Sequence, residues 1–230
     1  MKFESFGTCF PNSKILVSFH GLPGLRNDGN RDFLKQLAKD KDIFCILIPL
    51  QNLSSNSFSF FRDTFQNIET LCELTKRYPS HQWQVLGHSW GALVALIALS
   101  KKIISPEKVC FLSPYTMFPQ NDSVLMESLE SLMKEYPLLL DAQKELSFFV
   151  KEIRDLEKLL VPKTLSINLN KHTRLYVLQA LDDQEVSAQN TKNFLKSCDC
   201  EILYKEFQTD HSFIQNREEI YKELRGFFDA

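Results

Sequence analysis

At 230 residues the chain can bury one sizeable core, and at roughly 150 residues per domain it has room for an insertion but not for a second full domain. Hydrophobic residues at 43% and charged residues at 24% are ordinary globular usage, which argues against a disordered or fibrous chain. The formal charge of −2, with no block of like charges, gives no reason to expect nucleic acid or an anionic membrane as partner, so a neutral or small ligand fits better.

Met1 to Gly7 is mixed polar and aromatic without an apolar run, and no apolar stretch approaches the ~18 residues needed to span a bilayer. A cytoplasmic location without stable membrane insertion is expected. The first predicted strand is Lys14 to Phe19, ending in the turn-forming cluster His20-Gly21-Leu22-Pro23-Gly24. A helix from about Asn30 to Lys39 follows, with Leu34, Leu37 and Ala38 on its inner face. Ile43 to Ile48 is a continuous apolar run, as expected of a strand covered on both faces. Phe61, Phe65, Ile68, Cys72 and Thr75 recur at helical spacing, which predicts a helix over about Phe60 to Arg77, stopped by Pro79.

Trp83 to Leu86 reads as a short strand running into Gly87-His88-Ser89-Trp90-Gly91, and the helix Ala92 to Leu99 beyond it is apolar nearly all round. Such a helix is buried, which places the preceding strand near the sheet centre. Val109 to Leu112 is the next strand. From about Tyr115 to Lys171 the periodicity is helical throughout, including Val124 to Glu135 and Leu138 to Leu160. Strands return at Arg174 to Gln179 and Glu201 to Phe207, with a helix near Ala188 to Lys196 between them and a last helix from Arg217 to Phe228. Strands alternating with amphipathic helices predict an α/β fold, a mostly parallel sheet with helices on both faces. Residues 1–114 and 172–230 form its core, and 115–171 is a helical lid insertion.

Most of the six cysteines sit in apolar or amphipathic runs, where a thiol serves as a small hydrophobe. Cys198 and Cys200 match neither a redox pair nor zinc spacing. No metal and no cofactor are expected; phosphate-binding glycine loops are also missing from the sequence.

Gly87-x-Ser89-x-Gly91 carries the strongest chemical signal. A nucleophile on a sharp strand-to-helix turn stands clear of the sheet edge, and side chains two residues to either side would meet neighbouring backbone. Two of only 7 glycines flank this one serine, which makes an accidental turn the weaker reading. A serine hydroxyl needs a base to take its proton and a carboxylate to hold that base. Of the five histidines, His20 and His88 belong to turns, His81 precedes a strand, and His172 lies upstream of the expected acid. His211 follows the last strand, where the base belongs in the order Ser, Asp, His. The acid should follow the strand Arg174 to Gln179, where Asp182 and Asp183 both stand. Trp90 can offer its backbone N–H, at a helix N-terminus, to a developing oxyanion.

Apart from the lid, these motifs, from about Lys14 to Phe228, resemble the α/β-hydrolase superfamily. The resemblance implies Asp183 as the acid, because Ala180, Asp183 and Val186 reproduce the spacing of small residue, acid and aliphatic residue seen there. His20-Gly21-Leu22-Pro23 resembles the superfamily's His-Gly-x-Pro segment, which implies the Leu22 N–H as second oxyanion donor beside Trp90. The implied activity is cleavage of a carboxylic ester or thioester by a Ser89, Asp183, His211 triad acting on a small-molecule carbonyl substrate. Amide or peptide cleavage, lyase or acyltransferase chemistry, and a non-catalytic ligand-binding role are the alternatives. Apolar stripes at Leu125, Met126, Leu129, Leu132 and Met133, and at Phe148, Phe149, Ile153, Leu156 and Leu160, either line an acyl pocket or fasten the lid to the body.

Overall fold

The structure is a computed structural model that describes residues 3–22, 29–39, 43–49, 58–135, 144–159 and 172–229. Among the described residues, β1 (Glu4–Phe6), β2 (Lys14–Phe19), β3 (Ile43–Ile48), β4 (Gln82–His88), β5 (Lys108–Leu112), β6 (Arg174–Ala180) and β7 (Glu201–Phe207) form one sheet. Their order is β1-β3-β2-β4-β5-β6-β7. All neighbours are parallel except β1, which runs antiparallel to β3.

The two-residue period of each strand divides its side chains between two cores. Ile15, Val17, Phe19, Val85, Val109, Phe111 and Val177 face one side, where α2 (Phe60–Arg77) and α3 (Trp90–Ser100) pack. Leu16, Leu47, Leu86, Cys110 and Leu178 face the other, under α1 (Gly29–Leu37) and the C-terminal helix Arg217–Asp229. Each residue of α3 from Trp90 to Leu99 is buried, so its all-round apolar surface is consumed by the sheet and by α2. The predicted strands and helices on this framework are present, and β4 is longer than predicted. Gly87 and His88 still pair with Phe111 and Leu112, so the turn begins at Ser89 rather than at Gly87.

Sequence patterning did not predict β1, which is three residues long and only partly buried. It exists because β3 would otherwise expose a hydrogen-bonding edge. Gly7, at φ 84°, ends it; a Cβ there would stand 3.1 Å from the Ala38 carbonyl oxygen.

In the insertion, α4 (Asp122–Glu135) and α5 (Leu146–Glu157) pack against each other, and α5 also packs on α2. The single helix predicted over Leu138 to Leu160 is corrected at its start. Glu145 is extended at φ −67°, ψ 147°, and caps a helix that begins at Leu146; positions 138–143 and 160 lie outside the described residues. That start puts Phe149, Ile153 and Leu156 on one buried stripe continuous with the body's core. Glu152 accepts from the Ser59 hydroxyl and, at 3.1 Å, from the Phe60 N–H, completing the N-terminal cap of α2 from outside it. Arg154 holds Asp122 at 2.7 Å and the Pro119 carbonyl at 2.6 Å, fastening the segment that leads out of β5. Among the described residues no helix is long and apolar enough to cross a membrane.

Strand β2 has β3 on one side and β4 on the other, so the winding direction reverses beside it. The chain leaves β2 toward one face and β4 toward the opposite face, which opens a crevice at their carboxyl ends. Open α/β sheets bind their ligands in such a crevice.

Candidate active site

Ser89 is the first residue beyond β4 and lies at φ 50°, ψ −117°, a conformation costly for a residue with a Cβ. Surrounding backbone holds it there. Its N–H donates to the Leu112 carbonyl at 2.9 Å, and its own carbonyl accepts from Ala92 at 3.0 Å and Tyr115 at 3.2 Å. Gly87 and Gly91 make the turn possible: a Cβ on Gly87 would meet the Ala92 Cα at 2.7 Å, and one on Gly91 the Phe19 carbonyl oxygen at 2.2 Å. Gly21 brings the turn after β2 against the serine, since a Cβ there would lie 3.1 Å from the Ser89 Cβ. Leu22, next in that turn, is half-buried against the core, while Pro23 and Gly24 lie outside the described residues. Trp90 opens α3, so its N–H has no acceptor within the helix. Its indole donates to Thr64 Oγ1 at 3.1 Å and packs among Phe60, Tyr115 and Phe118.

Beyond the ends of β6 and β7 the two chains stay joined, with Leu181 N–H donating to the Phe207 carbonyl and Asp182 N–H to that of Thr209. This brings Asp183 to His211: Asp183 Oδ2 lies 2.7 Å from His211 Nδ1, and Oδ1 accepts from the Glu185 and Val186 N–H groups, both at 2.8 Å. A carboxylate accepts, so Nδ1 carries the proton and Nε2 is the basic nitrogen of the neutral ring. Asp182 turns elsewhere, its Oδ1 accepting from Gln208 at 2.6 Å. Of the two adjacent aspartates, Asp183 is the one that faces His211.

Burial works against the Asp183 carboxylate, but the hydrogen bond and charge of His211, with the two N–H donors, bring its pKa below the ordinary value. Burial likewise lowers the His211 pKa, and the bond and charge of Asp183, aided by Glu185 and Asp210, outweigh it and raise the imidazole above its usual value. His211 Nε2 is buried without a hydrogen-bond partner among the described residues. The nearest charge is Glu185 Oε2 at 3.5 Å. No hydrogen bond joins Ser89 to His211 Nε2.

The His211 loop is tied to the turn at Ser89 through His88, whose Nε2 lies 2.9 Å from the His211 carbonyl oxygen and whose ring centroid is 5.1 Å from that of His211. Burial pushes His88 down to about 3 and His20 to about 4, so both are neutral where His211 titrates. His81 sits beside Cys9 and Phe10, and His172 is exposed before β6. Sequence reading placed His88 as a turn residue and did not single out Glu185. The one available signal for His88 was its adjacency to the serine; for Glu185 there was none.

Glu185→Gln is expected to lower the pKa of His211, because it removes a carboxylate that stabilises the imidazolium. The side chain of Glu185 is 62% exposed, so solvent and ions weaken the effect, and the shift should shrink in high salt. Titration of the His211 ring by NMR at two ionic strengths checks both points; an unchanged or higher pKa contradicts the placement of Glu185. Among the described residues no group of His, Cys, Asp and Glu side chains has the geometry to hold a metal.

The sequence matches no family model and no curated protein. Solved structures do match it over nearly its full length. It is similar to MGS-MChE2, an alpha/beta hydrolase enzyme from the metagenome of lagoon sediments at Mar Chica, Morocco, with TM-score 0.63 and 16% identity over 99% of this chain and 94% of that one. It is also similar to a lipase-esterase related protein from Clostridium acetobutylicum, with TM-score 0.69 and 18% identity over 98% of both chains. Est1E from Butyrivibrio proteoclasticus, with ferulic acid bound, superposes with TM-score 0.70 and 11% identity over 98% of this chain and 94% of that one. Identities this low speak to fold, and the fold is that of the α/β-hydrolases.

Proposed function

We propose that this chain of α/β-hydrolase fold is a serine hydrolase that cleaves a carboxylic ester or thioester through an acyl-serine intermediate. The observation that carries the reading is the 2.7 Å contact between Asp183 and His211, which leaves Nε2 basic, buried and without a hydrogen bond on the rim that holds Ser89. Ser89 Oγ attacks the carbonyl carbon as His211 Nε2 takes its proton, and the new oxyanion is received by the N–H groups of Trp90 and Leu22. Collapse breaks the bond to the alcohol or thiol, which leaves with the proton from Nε2. Water then repeats the attack with His211 again as base, releasing the acid and restoring the serine.

Residues 115–171 act in this reading as a helical lid over the site, on a core of 1–114 and 172–230. Support comes from the start of the insertion, where Tyr115 is bonded to the Ser89 carbonyl and its ring packs on Trp90 and Phe118. Met117, two residues on, is exposed, and a small-molecule substrate with an apolar acyl group suits this reading.

A fluorophosphonate probe is expected to label Ser89 in the wild type, not in Ser89→Ala, and only slowly in His211→Ala. A folded wild-type chain that takes up no label contradicts the hydrolase reading and favours a binding role. p-Nitrophenyl esters of increasing chain length, assayed beside acyl thioesters and aminoacyl amides, then identify the acyl group and the leaving group.

A further inference from the structure

We propose that His88 is a positioning residue of the same site, an imidazole clamp that sets the distance between Ser89 and His211 through its hydrogen bond to the His211 carbonyl. The inference rests on the reading of Ser89 and His211 as the reacting pair. A carbonyl oxygen only accepts, so the 2.9 Å contact requires a proton on His88 Nε2. Because burial keeps the ring neutral, its Nδ1 is then unprotonated, and the tautomer is fixed.

His88 touches three of the four segments that build the site. It is covalently next to Ser89, and it bonds the main chain of His211. Its Nδ1 edge lies against the turn after β2, where a Cβ on Gly21 would be 3.5 Å from Nδ1. The ring also meets Phe213 edge-on at 6.0 Å, and Phe213 is held at φ 57°, which bends the chain just after His211. The nucleophile and the base thus hang from two backbones joined by one rigid side chain, Ser89 one residue from the joint and His211 at it. A neutral ring suits this place, because a cation here would oppose the imidazolium that forms on His211 during the reaction.

A flexible or absent clamp leaves Asp183 bonded to His211 but lets the pair drift from Ser89. A misplacement of about 1 Å at reacting atoms costs on the order of 100-fold in rate. The test compares His88→Phe, which keeps an aromatic ring without the donor, with His88→Gln, whose amide offers an N–H at similar reach. His88→Phe is expected to lose about 10- to 100-fold in kcat for a p-nitrophenyl ester, with KM within about twofold and a parallel fall in fluorophosphonate labelling. His88→Gln should recover most of the loss. Wild-type kcat in His88→Phe overturns the clamp, as does a His88→Gln variant as slow as His88→Phe, which would assign the effect to ring packing. Should His88→Phe not fold, His88→Leu takes its place. A wild-type chain that takes no label overturns the hydrolase reading instead. The clamp is then judged by solvent exchange of the His211 Nδ1 proton: faster exchange in His88→Phe, restored in His88→Gln, supports it, and unchanged exchange overturns it.

Discussion

Asp183→Asn is expected to lower kcat/KM for an ester substrate by roughly 10⁴-fold while leaving the fold intact. The asparagine Oδ1 can still accept from the Glu185 and Val186 N–H groups, so the loop keeps its shape. What changes is the atom facing His211 Nδ1, where an acceptor becomes an NH2 donor. The ring answers by moving its proton to Nε2, the nitrogen that takes the Ser89 proton in the proposed mechanism, and the base is lost by tautomer rather than by distance. Asp182→Asn serves as the control. Its carboxylate is exposed and engaged with Gln208, so activity should stay within about threefold of wild type, in line with the small worth of surface contacts. Steady-state kinetics of the two variants, one position apart, decides the assignment; equal losses would refute it.

Gly91→Ala should produce the largest loss of stability, about 4 kcal/mol or more, or no folded protein at all. The added methyl would lie 2.2 Å from the Phe19 carbonyl oxygen, 2.5 Å from its carbon and 2.6 Å from the His20 carbonyl oxygen. All three are backbone atoms, so no rotamer relieves the clash. Either the start of α3 moves off the end of β2, pulling the Trp90 N–H away from the Leu22 turn, or the elbow unwinds. Gly226→Ala is the matched comparison. Gly226 lies exposed inside the C-terminal helix with nothing within 4 Å of an added Cβ, so alanine there should stabilise by about 0.5–1 kcal/mol. Urea unfolding of both variants measures the contrast, and a Gly91→Ala protein as stable as wild type would disprove the packing described at the elbow.

Both predictions draw on features that were readable from the chain to different degrees. The paired glycines around Ser89 were visible because a sharp strand-to-helix turn constrains residues close together in sequence. The strands from Lys14, Ile43 and Val109 were visible because burial on both faces demands unbroken apolar runs. Strand β1 was not, since its three residues are specified by the open edge of β3 and carry no pattern of their own. The start of α5 was missed for a related reason. Apolar periodicity extends back to Leu138, but the helix begins at Leu146, after the extended Glu145, where its buried stripe meets the core.

Local spacing and hydrophobic period were enough to give the α/β order of elements, the glycine-flanked turn at Ser89 and the place of His211 after the last strand. Only the tertiary structure decided which of two adjacent aspartates faces His211, that Glu185 stands near the basic nitrogen, and that His88 joins the elbow to the base loop. Those relations hold between residues up to 123 positions apart, as His88 and His211 are, and turn on the direction of single side chains. Directions of that kind arise when strands β4, β6 and β7 are laid side by side, and no spacing along the chain encodes them.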